Sequence, residues 1–150
     1  MIGRLEELKQ LEKFYNSSKF EFLTLYGRRR IGKTTILREF AGRHRAMFFS
    51  AQEKNDSLNL LDFSKVAQTF FEGSFISSFP NWGAAFEYIT RRTSEEKLVL
   101  IIDEFPFLAE PNPSIKSILQ HTIDHVWKEK NIFLILCGSS VSFMLNDVMG

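Results

Sequence analysis

Phe20-Glu21-Phe22-Leu23-Thr24-Leu25-Tyr26-Gly27-Arg28-Arg29-Arg30-Ile31-Gly32-Lys33-Thr34 is the stretch that decides the fold. Its first seven residues are rich in apolar and β-prone types and stop at a glycine, which predicts a strand over 20–26. Gly27 to Thr34 then fits the pattern G-x-x-x-x-G-K-[ST]. In that pattern the glycines let the backbone fold tightly and bring its N–H groups against phosphate oxygens. The next helix aims its positive end at the same place. Lys33 can then reach β- and γ-phosphates, and the Thr34 hydroxyl can offer an oxygen to Mg²⁺. Four fixed positions do recur by chance. Here they also lie between a predicted strand and a predicted helix over 33–44, which is the context the chemistry requires.

Outward from this stretch, strands and helices alternate. The apolar spacing of Leu5, Leu8, Leu11 and Tyr15 predicts an amphipathic helix over 4–15. A second strand is expected over 46–51. A helix capped by Ser57 should run to Phe71, a loop over 73–80, and a helix capped by Asn81 to Arg92. Residues 98–103 form an uninterrupted apolar run ending in acid, as a strand covered on both faces should. Pro111 and Pro113 precede a helix expected through Lys130. The fourth strand is expected over 132–137 and a last helix over 141–148. This order predicts an α/β protein: a three-layer αβα sandwich around a mostly parallel sheet, with ligands at the carboxyl ends of the strands.

Two further groups fall at strand ends. The third strand ends in Asp103-Glu104. Beside a phosphate loop, Asp103 would hold Mg²⁺ through its water shell, and Glu104 would orient or deprotonate the attacking water. The fourth strand ends in Cys137-Gly138-Ser139-Ser140. A hydroxyl there can contact a γ-phosphate or the attacking water, or a serine can simply cap the next helix. Both readings stay open.

Composition narrows the classes. The chain has 150 residues and 17.5 kDa, one domain's worth, and its 16 phenylalanines exclude a disordered chain. Net charge is +1, so a broad nucleic-acid or membrane surface is not written into the balance. The balance is uneven, however: residues 1–50 carry 11 Lys/Arg and 5 Asp/Glu, residues 51–150 carry 8 and 13. The basic first third is where a polyanion such as a nucleotide would sit if there is one. Cys137 is the only cysteine, which suits a reducing, cytoplasmic setting. No stretch approaches the ~20 apolar residues of a membrane helix. His121 and His125 stand four apart without a third ligand in view and read as a solvated helix face. Arg28, Arg29 and Arg30 can contact nucleic acid, but they also fill the free positions of the phosphate loop. No N-K-x-D guanine-reading motif occurs, which makes adenine the default base.

Taken together these residues resemble the AAA+ and STAND ATPases, and within them the prokaryotic "archaeal ATPase" family. The wording that carries the resemblance is Ile2-Gly3-Arg4 with Glu7, Leu8 and Leu11, then Tyr26 to Thr35, then Ile102-Asp103-Glu104-Phe105-Pro106-Phe107-Leu108, then Cys137 to Ser140. The resemblance implies an adenine-side contact at Ile2, Gly3 and Arg4. It implies a nucleotide cradle of Gly27, Arg28, Arg29, Arg30, Ile31, Gly32, Lys33, Thr34 and Thr35, with Mg²⁺ on Thr34 and Asp103. Lys33, Glu104 and Ser139 take the catalytic roles, Ser139 as γ-phosphate sensor. The cofactors implied are ATP or ADP with Mg²⁺, and the sheet order implied is 5-1-4-3-2. Family members continue into a fifth strand and a helical lid, so residues 1–150 are expected to be the N-terminal part of the ATPase core. No arginine occurs after Arg92, where an oligomeric motor would place its finger. Two functions fit: an Mg²⁺-dependent ATPase, or a nucleotide-gated switch or scaffold with little turnover. A small-molecule kinase is disfavoured by the adjacent acids. A partner beyond nucleotide, protein or nucleic acid, is implied without being named. Without a fifth strand, the strand over 20–26 becomes an exposed edge that invites self-association.

Overall fold

The structure, a computed structural model, describes residues 2–26 and 33–139. Four strands, β1 (Glu21–Leu25), β2 (Ala46–Ser50), β3 (Leu98–Asp103) and β4 (Ile132–Cys137), pair in parallel in the order β1-β4-β3-β2. This is the order the resemblance implies for these four strands. Helix α1 (Ile2–Tyr15) precedes β1 and α2 (Lys33–Arg43) joins β1 to β2. Helices α3 (Asp56–Glu72) and α4 (Trp82–Thr90) join β2 to β3, and α5 (Pro106–Ala109) and α6 (Ser114–His125) join β3 to β4.

The strand order dictates which face each helix covers. From β1 to β2 the chain crosses the whole sheet in one direction, and through β3 to β4 it steps back. Right-handed crossovers in opposite directions must use opposite faces. Accordingly α1 and α2 pack Leu8, Leu11, Ile36, Leu37 and Phe40 on Val99, Ile101, Phe133, Ile135 and Cys137. On the other face Phe63, Phe86, Leu119 and Trp127 pack on Leu98, Leu100, Ile102, Leu134 and Leu136. Strands β3 and β4 are buried at every position, which is why they read as unbroken apolar runs. Cys137 is fully buried, so it packs as a small hydrophobe.

Local chemistry moves some boundaries. Helix α3 is capped by Asn55, not by Ser57: the Asn55 side chain accepts the Leu58 N–H at 3.0 Å, and Ser57 Oγ donates to that same carboxamide. Asn81 caps α4 as expected, accepting from Ala84 N–H at 2.8 Å. The helix expected to reach Lys130 stops at His125. Val126 leaves helical geometry at φ −133°, and Trp127–Glu129 forms a separate 3₁₀ turn. The break lets Trp127 enter the core and donate its indole N–H to Thr90 Oγ1 at 2.7 Å. The short helix α5 has no periodicity long enough to announce it. The phosphate loop expected over 27–32 and the helix expected over 141–148 both lie outside the described residues.

Candidate nucleotide site at the carboxyl edge of the sheet

Parallel strands end together, so every strand-end motif is delivered to one edge. Backbone bonds lock those ends side by side. Gly138 N–H donates to Leu25 C=O at 3.0 Å, Phe105 N–H to Cys137 C=O at 2.8 Å, and Ala51 N–H to Asp103 C=O at 3.0 Å. Asp103, Glu104, Gly138, Ser139 and the exit of β1 at Tyr26 therefore share one edge. Lys33 opens α2, and Thr34 and Thr35 are exposed on its first turn. Ile2, Gly3 and Arg4 open α1, whose body packs on α2. Gly27, Arg28, Arg29, Arg30, Ile31 and Gly32 fall outside the described residues, between the end of β1 and the start of α2.

Asp103 is the buried acid of the edge, with 7% of its surface exposed. Its Oδ1 accepts the backbone N–H of Glu104 at 3.0 Å, and among the described residues no lysine or arginine pairs with it. A buried carboxylate without a cation is costly unless something positive reaches it. Mg²⁺ is satisfied by one or two carboxylates plus phosphate and water oxygens. The donor set of Asp103 and Thr34 therefore fits such an ion bound together with a nucleotide.

Glu104 is the one non-glycine residue among those described with a positive φ, at 56°. A side chain there costs about 1–2 kcal/mol. The cause is the anchoring of residues 105–108. Phe105 is fully buried and hydrogen-bonded across to β4, Phe107 N–H closes on Glu104 C=O at 3.0 Å, and Leu108 N–H closes on Phe105 C=O at 2.8 Å. Pro106 at the first helical position and buried Leu108 complete the clamp. The apolar residues after the acid pair thus force Glu104 into a sharp turn at the strand end, half-buried and beside Asp103.

Sequence reasoning missed one supporting residue. Asn59, fully buried on α3, accepts the Gln52 N–H at 3.1 Å and donates to the Gln52 C=O at 2.9 Å. It pins the turn that leaves β2 at this edge. A polar residue inside an apolar helical stripe was the available signal. Ser139, expected as a sensor, is exposed immediately beyond β4.

An open αβα sandwich with an acid pair ending a central strand, and a helix starting after the strand that lies one place further along the sheet, across β4, is the fold of P-loop ATPases. The family of ATPase domains found predominantly in Archaea matches residues 1–150, and the chain belongs to that family. An uncharacterized protein of Methanocaldococcus jannaschii is 34% identical over 148 residues, which are 99% of this chain and 31% of that protein. The chain thus spans about a third of that relative's length. Among solved structures, the Walker-type ATPase of Pyrococcus abyssi superposes with a TM-score of 0.72 at 18% identity, covering 97% of this chain and 47% of that one. The Cdc6p protein of Pyrobaculum aerophilum superposes at 0.63 with 19% identity, over 95% of this chain and 40% of that one. At those identities the likeness is one of fold. Among the described residues no helix is long and apolar enough to cross a membrane.

Proposed function

We propose that this chain binds Mg·ATP at the carboxyl edge of its sheet and hydrolyses it to ADP and phosphate, coupling nucleotide state to conformational change. The observation that supports this most is the strained placement of Glu104 beside a buried Asp103 that has no cationic partner among the described residues. Strain of this kind persists only where the surroundings enforce it, and it gathers at functional sites. In this reading residues 27–32 would cradle the phosphates with backbone N–H groups, and Lys33 would neutralise their charge. Thr34 and Asp103 would hold the metal, which when bound would supply charge neutralisation for the phosphates. Glu104 orients the attacking water and takes its proton. Ser139 donates a hydrogen bond toward the γ-phosphate. Ile2, Gly3, Arg4 and Thr35 complete the cradle on the nucleotide side. Residues 1–150 are the N-terminal part of the ATPase core in this reading, and the remaining strand and lid come after them.

Steady-state Mg·ATP turnover tests it, beside ATP binding. Glu104→Gln should keep binding and lose turnover by about 10²–10⁴-fold, the contribution of a general base. Lys33→Ala should lose both. Turnover that survives Glu104→Gln would remove the base assignment. A second reading is favoured by the absence of arginine within residues 93–150, beside the third and fourth strands: a nucleotide-gated switch that binds tightly and turns over little. Lys33-dependent binding without turnover selects it.

A further inference from the structure

The edge of the sheet opposite β1 is built differently from the rest of the surface. Strand β2 pairs only with β3 among the described residues. Ala51 N–H reaches Asp103 C=O, so by the alternation of a strand Met47 and Phe49 also face β3. The N–H and C=O groups of Ala46, Phe48 and Ser50 therefore face outward, a short template for another strand.

Two arginines flank that template, one on each face of the sheet. Arg38 on α2 lies over the Phe48 ring, its guanidinium 4.4 Å from the centroid, on the face covered by α1 and α2. Arg45, just before β2, lies 4.0 Å from the Phe70 ring centroid and donates to Phe70 C=O at 2.7 Å, on the α3 face. Among the described residues neither guanidinium meets a carboxylate. The other arginines with a near carboxylate are committed: Arg43 to Glu39, Arg91 to Glu87 and Arg92 to Glu72.

We propose that the outer edge of β2 docks an extended acidic segment of a partner protein, whose acids meet Arg38 on one face of the sheet and Arg45 on the other. The spacing is specific. Arg45 and Phe48 are three residues apart, an odd offset, so the two cations stand on opposite faces. A strand laid on β2 presents alternate side chains to opposite faces. Its two acids must accordingly be an odd number of residues apart, about three for this register. Backbone pairing supplies adhesion and the two ion pairs supply selection.

The probe is a fluorescein-labelled nine-residue peptide of valine and threonine with two glutamates three positions apart, titrated by anisotropy onto the full chain. Saturable, salt-sensitive binding is expected. It should weaken about tenfold in Arg38→Glu/Arg45→Glu, which is about 1.4 kcal/mol shared by two exposed pairs. The same peptide with lysines should bind that double variant instead. N-methylation of the peptide amides that face β2 should abolish binding, and moving the glutamates to two apart should weaken it. If the charge-reversed chain melts early, Arg38→Gln/Arg45→Gln replaces it, with about half the effect expected on the free-energy scale. Absence of saturation at millimolar peptide would overturn the proposal. So would equal binding of the lysine peptide to the parent, or indifference to N-methylation.

Discussion

Glu104 carries both the strain and the proposed chemistry, and substitutions at it separate the two. Its φ of 56° is enforced from outside by buried Phe105 and the bonds that close the turn after it. Glycine occupies that geometry without cost, so Glu104→Gly should leave the thermal midpoint unchanged or slightly raised, while any turnover disappears. Glu104→Val should lower stability by about 1–2 kcal/mol, because a β-branched side chain fits the left-handed region worst. Thermal unfolding of both variants checks the contrast. A midpoint that falls equally in both would mean that the backbone is not the strained part. The pair Asp103-Glu104 was legible in the sequence as two acids after an apolar run. The left-handed turn was not, because it arises from a tertiary bond between Phe105 and Cys137 rather than from any local turn residue.

At the scale of elements, the buried polar contacts decide how firmly the loops at each end of the sheet are held. Asn59→Ala strands both the N–H and the C=O of Gln52. Two lost part-buried bonds, whose Gln52 ends water can partly re-satisfy, should cost about 1–2 kcal/mol, read as a lower urea midpoint at unchanged slope. At the amino end of the sheet, Lys97, just before β3, is buried and donates from Nζ to Lys19 C=O at 2.6 Å. Burial pushes its ammonium below the ordinary lysine value, with Glu21 acting in the opposite sense. The folded state therefore releases this proton before the unfolded state does. Below the folded value the burial penalty is fully present. Between the folded value and the unfolded value of about 10.4 the unfolded chain binds more protons, so stability contributed by this residue rises with pH. Urea midpoints of the parent and Lys97→Met across the alkaline range should show their difference shifting in the parent's favour as pH rises. Helices announced by long apolar stripes and caps, such as α4 with Asn81, were legible. Helix α5 and the break at Val126 were not, because both exist to seat Phe105, Leu108 and Trp127 in a core that only the assembled sheet creates.

For the whole molecule, the parallel direction of the strands explains why three separated motifs lie at one end of the sheet, and the strand order leaves two unlike edges. All four strands are parallel, so their common direction brings Asp103, Ser139 and the start of α2 to the same end. That convergence was legible from the alternation of strands and helices. Which edges would be bare required the order, and the order came from resemblance rather than from periodicity. Edge β2 is flanked by arginines that discourage indiscriminate pairing. Edge β1 has no such guard among the described residues. Gly138 N–H bonds to Leu25 C=O, so Leu23 and Glu21 also face β4, while Phe22 and Thr24 turn their backbone groups outward. Residues 1–150 should therefore self-associate through β1, with a weight-average mass in sedimentation equilibrium that grows with concentration. Thr24→Pro removes an outward N–H without touching the ladder to β4, so it should return the chain to a monomer of 17.5 kDa. A parent that stays monomeric at high concentration would show that this edge is covered, and the same Thr24→Pro substitution should then destabilise the fold by removing a bond to whatever covers it.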